Sequence, residues 1–477
     1  MGYKTGVDKT QLELLPACLD EYVSKGHICR VIRAFTEQLN IKELGYRYAE
    51  CEATGCYPYD PRMMLSLYIY GYLHRVRSSR RLRDEANRNV EVMWLMDGLK
   101  PNDKTISNFR KDNSEALRKT FRVFCMMCRE LGLYGGELVA TDGSRFQANN
   151  SRKNNYTKTK VERELTRLDE NIKEYMEALD QGDNEEQKEK EPSAEELQNA
   201  LEKLKERKIT YEVLKKRIET EGQVSTVDPD ARLMVHGGDG RKSEVCYNIQ
   251  TVVDSKNHMI VDFDVAGCVD KGNLYNMSQK AKEVLQVQSL INLADKGYYD
   301  GEDLAACEEE GVACLVPRVK GGIKKATGYT YDDFIYDREN DCYICPNQNR
   351  LHYTHGRKKK NGRKERAYSN TGACINCSQK SLCTKGKRRV IHRLPYQDVL
   401  EKVEERMKKN KALYRRRQEI VEHPFGTVKA IWGYKQFLCR TKTKISAETA
   451  LAYMAYNMRR AFNIFLKTGA NMAEAIV

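Results

Sequence analysis

Three acidic residues lie where a metal-dependent nuclease would hold its ions. Asp142 ends the largely apolar run 137–141, Asp295 ends a second run at 291–294, and Glu422 follows a basic stretch of helical character. Two-metal phosphoryl transfer needs carboxylates that converge on ions roughly 3.5–4 Å apart. Mg²⁺ prefers oxygen ligands and takes one or two carboxylates per ion. The three acids therefore predict a divalent-metal site that works on phosphates.

The residues around the three acids resemble those of the DDE insertion-sequence transposases, in the branch with a Y-R-E-K signature. The resemblance covers residues 59–463 and departs from the signature in one place, where the gap between Arg417 and Glu422 is one residue longer. The matching pieces are Thr141-Asp142-Gly143-Ser144, then Ala294-Asp295-Lys296-Gly297-Tyr298, and then Tyr414, Arg417, Glu422 and Lys429.

This resemblance implies residue roles, a cofactor and partners. The three acids would be the catalytic residues and would bind two Mg²⁺ or Mn²⁺ ions, which activate water and stabilise the leaving 3′ oxygen. Tyr414, Arg417 and Lys429 would contact the DNA backbone, and Lys429, seven residues after Glu422, would share its helix face. The implied protein is a cut-and-paste DNA transposase that acts on terminal inverted repeats and works as a homodimer on DNA.

Two other functions fit the same residues. A ribonuclease-H-like DNA endonuclease would cut without strand transfer, and a transposase-derived regulator would bind DNA without catalysis. The presence of all three acids argues against the regulator. A helical front region and a basic insertion favour a protein that holds long DNA, and an assay for strand joining separates the three functions.

The composition indicates a multidomain protein with a polyanionic partner. A chain of 477 residues is too long for one ordinary core, and its net charge is +14. A basic balance of this size favours DNA, because each neutralised phosphate releases condensed counterions. Neither an apolar run of about 18 residues nor a signal peptide is recognisable, so we expect a cytoplasmic protein.

Periodicity and composition divide the chain into six segments. Asp60-Pro61 is a typical helix start in the front region. Amphipathic spacing predicts a coiled-coil-like helical hairpin, either a solvated spacer or an arm for dimerisation or DNA clamping. The predicted segments are an N-terminal all-α DNA-binding domain at 1–135, an α/β ribonuclease-H-like core with a mixed five-stranded sheet at 136–158, 225–319 and 396–477, the helical hairpin at 159–224, and a basic cysteine-containing insertion at 320–395.

The predicted order of strands brings two of the acids together. In a ribonuclease-H-like fold the first and fourth strands are neighbours, so Asp142 and Asp295 would meet. Glu422 would reach them from a later helix. Residues 254–257 separate two strand-like runs and predict a β-hairpin.

Two pairs of cysteines in the insertion have the spacing of zinc knuckles. Cys342-x2-Cys345 and Cys374-x2-Cys377 predict a structural Zn²⁺ site. Cys383 is a fifth thiol nearby, and His352 or His355 could compete, so the fourth ligand stays open. The alternative is a set of reduced, half-buried thiols.

Dense positive runs in the same insertion are candidate phosphate contacts. Such residues position a duplex without reading its bases, and the alternative is a solvated loop. The candidate residues are Arg357, Lys358, Lys359 and Lys360 in one run and Arg388 and Arg389 in another.

Overall fold

The computed structural model describes residues 18–50, 57–182, 194–236, 242–318, 328–358 and 364–477. No helix in these ranges combines the length and apolarity that a membrane crossing requires. The helices are α1 (Ile28–Glu37), α2 (Ile41–Leu44), α3 (Pro61–Leu73), α4 (Ser79–Arg88), α5 (Val90–Leu95), α6 (Asp103–Asp112), α7 (Ser114–Glu130), α8 (Lys158–Gly182), α9 (Ala194–Glu221), α10 (Leu274–Leu285), α11 (Gly301–Glu309), α12 (Thr371–Ile375), α13 (Lys380–Cys383), α14 (Gln397–Lys409), α15 (Lys411–Phe425), α16 (Lys442–Thr468) and α17 (Met472–Ile476). The strands are β1 (Leu138–Gln147), β2 (Asn155–Thr157), β3 (Gln223–Ser225), β4 (Arg232–His236), β5 (Lys242–Asp254), β6 (Ile260–Ala266), β7 (Leu290–Ala294), β8 (Val312–Leu315), β9 (Ile335–Asp337), β10 (Cys342–Ile344), β11 (Arg350–Lys358), β12 (Lys364–Ser369) and β13 (Val390–Arg393).

A six-stranded mixed sheet forms the centre of the molecule. β1 pairs antiparallel with β5 and parallel with β7, and β7 pairs parallel with β8. The far edge of β5 pairs with β4 along one stretch and with β6 along the next. The predicted five strands are therefore one too few, because Arg232–His236 adds a strand beside the start of β5. The predicted hairpin joins β5 to β6, and its turn begins with the Lys256 N–H donating to Asp254.

The N-terminal helices pack directly on this sheet. Phe121 of α7 contacts Phe263 of β6, with 5.3 Å between the ring centroids. Asn457 of α16 bonds both the N–H and the carbonyl of Ile260, at 2.8 and 2.7 Å. One continuous hydrophobic cluster runs from α1 through the sheet to α17. The core therefore does not divide near residue 135.

Helices α8 and α9 form the predicted hairpin. A buried cluster at its base includes Val161, Leu214 and Ile218. The antiparallel pair of β2 and β3 closes the same end of the hairpin. On the other face of α9, Ile209 and Val213 are exposed.

A second sheet fills the insertion. Its five antiparallel strands follow the order β13-β12-β11-β10-β9. Arg393 is 4% exposed, and its guanidinium carbon lies 3.6 Å from the centroid of the Tyr336 ring. The sequence analysis predicted no strands here, because aromatic rings and an arginine replace the aliphatic residues that reveal strand periodicity. The small core consists of Phe334, Tyr343, Leu351, Tyr368 and Ile391.

Candidate active site

Asp142 and Asp295 lie on neighbouring parallel strands. Thr141 of β1 is paired with Ala294, the last residue of β7, so the next residue on each strand is an acid. Asp295 accepts the Gly297 N–H at 2.7 Å and caps a short 3-10 helix. Asp142 does not end its strand, because β5 pairs with β1 as far as Gln147. The site therefore opens where β7 ends and β1 continues.

Asp270 is a third carboxylate at this place, and the sequence analysis missed it. It follows β6, and its Oδ1 accepts hydrogen bonds from Asn248 at 2.8 Å and from Gln250 at 2.7 Å. Its Oδ2 points to Gly297, where an added Cβ would lie 3.5 Å from Asp270 Oδ2 and 2.9 Å from Asp295 Oδ1. Asp270 thus borders the same space as Asp295. The available signal was the pair of amide side chains on one face of β5, two residues apart.

Gly143 makes room for this third carboxylate. A Cβ added at Gly143 would collide with Asp270 Oδ1 and would lie 2.6 Å from Gln250 Nε2. Any side chain at position 143 would therefore displace the Asp270 carboxylate. Although an Asp-Gly pair usually indicates a turn, this glycine serves a close approach within a strand.

Helix α15 carries Tyr414 and Arg417 over the acids. Arg417 Nη1 lies 3.3 Å from Asp142 Oδ2, as an ion contact without the alignment of a hydrogen bond. Burial raises the pKa of Tyr414, the charges of Asp295 and Asp142 add to the rise, and Arg417 opposes it. The tyrosine and the arginine of the signature therefore face the acidic cluster.

Glu422 is not brought into contact with the two aspartates. It lies five residues after Arg417, which is roughly 140° around an α-helix. Its carboxylate is exposed and accepts a hydrogen bond from Gln418 at 2.7 Å. Within the described ranges, one set of three His, Cys, Asp or Glu side chains has all its ligand atoms within 4.8 Å of one another, and it lies elsewhere, at His27, Cys29 and Glu91.

Lys429 fastens the end of this helical segment to β1. A π-helix at Gly426–Ile431 follows α15. Lys429 Nζ donates to Ser144 Oγ at 3.1 Å and to the Arg145 carbonyl at 2.6 Å. Burial lowers the pKa of Lys429. The ammonium group is thus engaged with the strand of Asp142, while Glu422 faces solvent, and the two do not share a face because the helix widens between them.

The acidic cluster has the chemistry of a divalent-cation site. Burial raises the pKa of Asp142 to about 6, the charges of Asp295 and Asp270 add to the rise, and Arg417 opposes it. Three carboxylates with one arginine contact form a negative group of oxygen ligands, the type that hard cations prefer. The amide donors on Asp270 Oδ1 orient its other oxygen, as outer-shell groups do for metal ligands. These residues fit a divalent cation.

The predicted DNA contacts of the insertion differ in their exposure to solvent. Arg357 and Lys358 are exposed at the end of β11. Arg388 is also exposed, whereas Arg389 is half-buried and donates to the Cys383 carbonyl at 3.0 Å. Arg389 therefore has a structural partner inside the insertion. Two further predicted contacts lie outside the described residues, namely Lys359 and Lys360.

The structure separates Cys342 from the other predicted zinc ligands. Cys342 is fully buried in β10. Burial raises the pKa of its thiol, and the charges that act on it belong to Asp337, Arg350 and Asp341 rather than to other cysteines. The half-buried thiols of the insertion are Cys345, Cys374, Cys377 and Cys383.

Two family models match the chain. Residues 17–112 match the family described as Transposase domain (DUF772), and residues 220–458 match the one described as Transposase DDE domain. The second match spans half of the chain and includes Asp270, Asp295 and Glu422, while β1 with Asp142 precedes it. Searches of curated proteins and of solved structures gave no match.

Proposed function

Because the chain belongs to the insertion-sequence DDE transposases, we propose that it binds the terminal inverted repeats of its element and catalyses cut-and-paste transposition. The observation that carries this proposal is the parallel pairing of β1 with β7, which sets Asp142 beside Asp295. The strand order β6-β5-β1-β7-β8 supports a ribonuclease-H-like core, in which the first and fourth strands are neighbours. Tyr414 and Arg417, facing the acids, support the Y-R-E-K branch.

In this proposal Asp142, Asp295 and Glu422 are the catalytic residues and metal ligands, and Asp270 is an additional ligand. Two bound Mg²⁺ or Mn²⁺ ions would lower the pKa of a water molecule and stabilise the leaving 3′ oxygen. To join the aspartates, Glu422 has to give up its hydrogen bond from Gln418 and move toward them. Asp270 needs no such change, because Asn248 and Gln250 already hold it in place.

Arg417, Tyr414 and Lys429 then have distinct tasks. Arg417 balances the charge of Asp142 and is the cation nearest to a scissile phosphate, to which a guanidinium can donate two hydrogen bonds. Tyr414, one turn earlier, borders the same space. Lys429 positions β1 through Ser144 and Arg145 and so acts on the DNA through Asp142. This refines the direct backbone contact that the signature implies for Lys429.

DNA would run from the acidic cluster toward the insertion. The net charge of +14 favours a polyanion, and Arg357, Lys358 and Arg388 are exposed on the insertion. The N-terminal helices would hold the transposon end. Two ends must be joined in one event, so we propose a homodimer on DNA.

Joining of a pre-cut transposon end to a plasmid tests the proposal. In Mg²⁺ or Mn²⁺ the unaltered protein should join the 3′-OH end to a target, and Asp142→Asn should bind the end without joining it. Cleavage without joining would instead identify an endonuclease. End binding with neither reaction would identify a regulator.

A further inference from the structure

Four cysteines of the insertion lie on segments that meet at one end of the strands of the second sheet. Cys345 follows β10, Cys374 lies in α12, Cys377 follows that helix, and Cys383 ends α13. We propose that these four thiols bind one structural Zn²⁺ ion and that Cys342 is not a ligand. Four thiolates are a common donor set for structural zinc. This inference does not rest on the proposed DNA chemistry.

The turn after β10 has the hydrogen bonds of a metal-binding knuckle. The Cys345 N–H donates to the Asn349 carbonyl at 2.9 Å, and the Gln348 N–H donates to the Cys345 carbonyl at 2.8 Å. Gln348 has a φ of 58°, which closes the turn tightly. The Asn349 N–H then donates to Cys345 Sγ at 3.3 Å. An N–H aimed at sulfur orients the cysteine side chain, as outer-shell hydrogen bonds do for metal ligands.

A side chain from this turn reaches the second pair of cysteines. Asn347 Nδ2 donates to Cys377 Sγ at 3.6 Å. Cys345 and Cys383 pack against the same small core of the second sheet. Strand pairing places the turn after β10 and the segment between β12 and β13 at the same end of the sheet, because Ile344 pairs with Arg350 and Ser369 pairs with both His352 and Val390. The segments that carry the four thiols therefore meet, although 38 residue positions separate the first thiol from the last.

The segment that carries three of these thiols buries little apolar surface. Helices α12 and α13 contain five and four residues, and neither buries a side chain. Ile375 is 56% exposed and Leu382 is 48% exposed. A segment that buries so little apolar surface needs another source of stability, and a structural zinc ion supplies folding free energy directly.

Metal binding would draw the four sulfurs together. No three of them lie within 4.8 Å of one another in the described ranges. A tetrahedral site with Zn–S distances of about 2.3 Å places its sulfurs about 3.8 Å apart. Closure therefore requires a movement of the short helices, which their lack of buried side chains permits.

Alkylation of the unaltered, full-length protein tests the site without any substitution. Purified reduced protein should contain about one zinc per chain. With zinc bound, Cys345, Cys374, Cys377 and Cys383 should resist iodoacetamide, and a chelator should make all four reactive, as read by peptide mass spectrometry. Absence of zinc, together with absence of a thiolate charge-transfer band on Co²⁺ addition, would overturn the proposal.

A matched pair of variants tests the choice of ligands. Cys383→Ser should weaken zinc binding by more than about tenfold, a loss that even outer-shell changes can cause. Cys342→Ser should keep the zinc, because Cys342 lies inside β10. The opposite pattern would overturn the assignment. If Cys342→Ser does not fold, the alkylation of Cys383 with and without chelator is the remaining test. An alkylation rate of Cys383 that is the same with and without chelator would exclude Cys383 as a ligand.

Discussion

Replacing Asp142 by asparagine should stabilise the protein in the absence of metal. The Asp142 side chain is only 25% exposed, and Asp295 and Asp270 add negative charge around it. Arg417 compensates part of this cost, yet the pKa of Asp142 still rises from 3.8 to about 6. Asparagine resembles the protonated acid in size and charge. It therefore removes the unfavourable free energy of keeping a charged carboxylate beside Asp295 and Asp270.

The size of this effect depends on pH in a definite direction. Below about pH 4 the aspartate is protonated in both the folded and the unfolded chain, so the variant gains little. Between pH 4 and 6 the unfolded chain loses its proton first, and the unaltered protein loses stability as the pH rises. Above pH 6 the difference levels off, and a rise from 3.8 to about 6 corresponds to about 3 kcal/mol.

Urea unfolding in a chelator, from pH 4.5 to 8, measures this difference. Glu422→Gln is the matched control, because it removes a carboxylate from an exposed position rather than from the buried acidic cluster. Adding Mn²⁺ should reverse the order, since metal bound to the folded state stabilises only a protein that can bind it. An Asp142→Asn protein that is less stable than the unaltered one at pH 8 without metal would refute the reasoning.

Three further substitutions probe the same site. Asp270→Asn should weaken Mn²⁺ binding by about tenfold or more in calorimetry. The control Asp264→Asn removes a carboxylate bonded to Lys280 and should leave Mn²⁺ binding unchanged. Equal Mn²⁺ affinities of the two variants would exclude Asp270 as a ligand. Arg417→Gln should raise the pKa of Asp142 further, because the guanidinium lowers it. The pH below which Mn²⁺ affinity falls should therefore move upward. An unchanged pH profile of Mn²⁺ affinity would contradict the pairing of Arg417 with Asp142. Lys429→Met should lower the free energy of unfolding by about 1–3 kcal/mol, because Ser144 and Arg145 lose a charged donor. The same variant should still bind end DNA in gel-shift assays. Unchanged stability with lost DNA binding would instead show that Lys429 contacts a DNA phosphate.

The sequence was sufficient to predict that Asp142 and Asp295 meet. Each follows an apolar run, and the predicted order of strands made those runs neighbours. Asp270 could not be found in the same way, because it lies in a loop after β6 and follows no periodic pattern. Only the tertiary fold shows that Asn248 and Gln250 hold it.

The region after the main sheet was harder to predict. The sequence predicts the helix that carries Tyr414 and Arg417. The π-helix at Gly426–Ile431, which follows it, changes which residues share a helix face. Regular helical spacing therefore misplaced Lys429 relative to Glu422. In the insertion, Tyr336 and Arg393 stack in place of aliphatic residues, so the strands gave no apolar alternation.

The hydrogen bonds between Asn457 and Ile260 join the C-terminal helix to the sheet, and Phe121 and Phe263 join the front helices to it. One continuous core therefore joins the N-terminal helices to the sheet that carries the acids. Under the proposed function, a DNA end held by those helices would reach the acids at a set distance and angle. A chimera of two related proteins joined near residue 135 would combine two halves of one hydrophobic core. We therefore expect the N-terminal helices and the sheet to be exchangeable only together. Under the proposed function, a change in the recognised DNA end would then arise by substitution within this core.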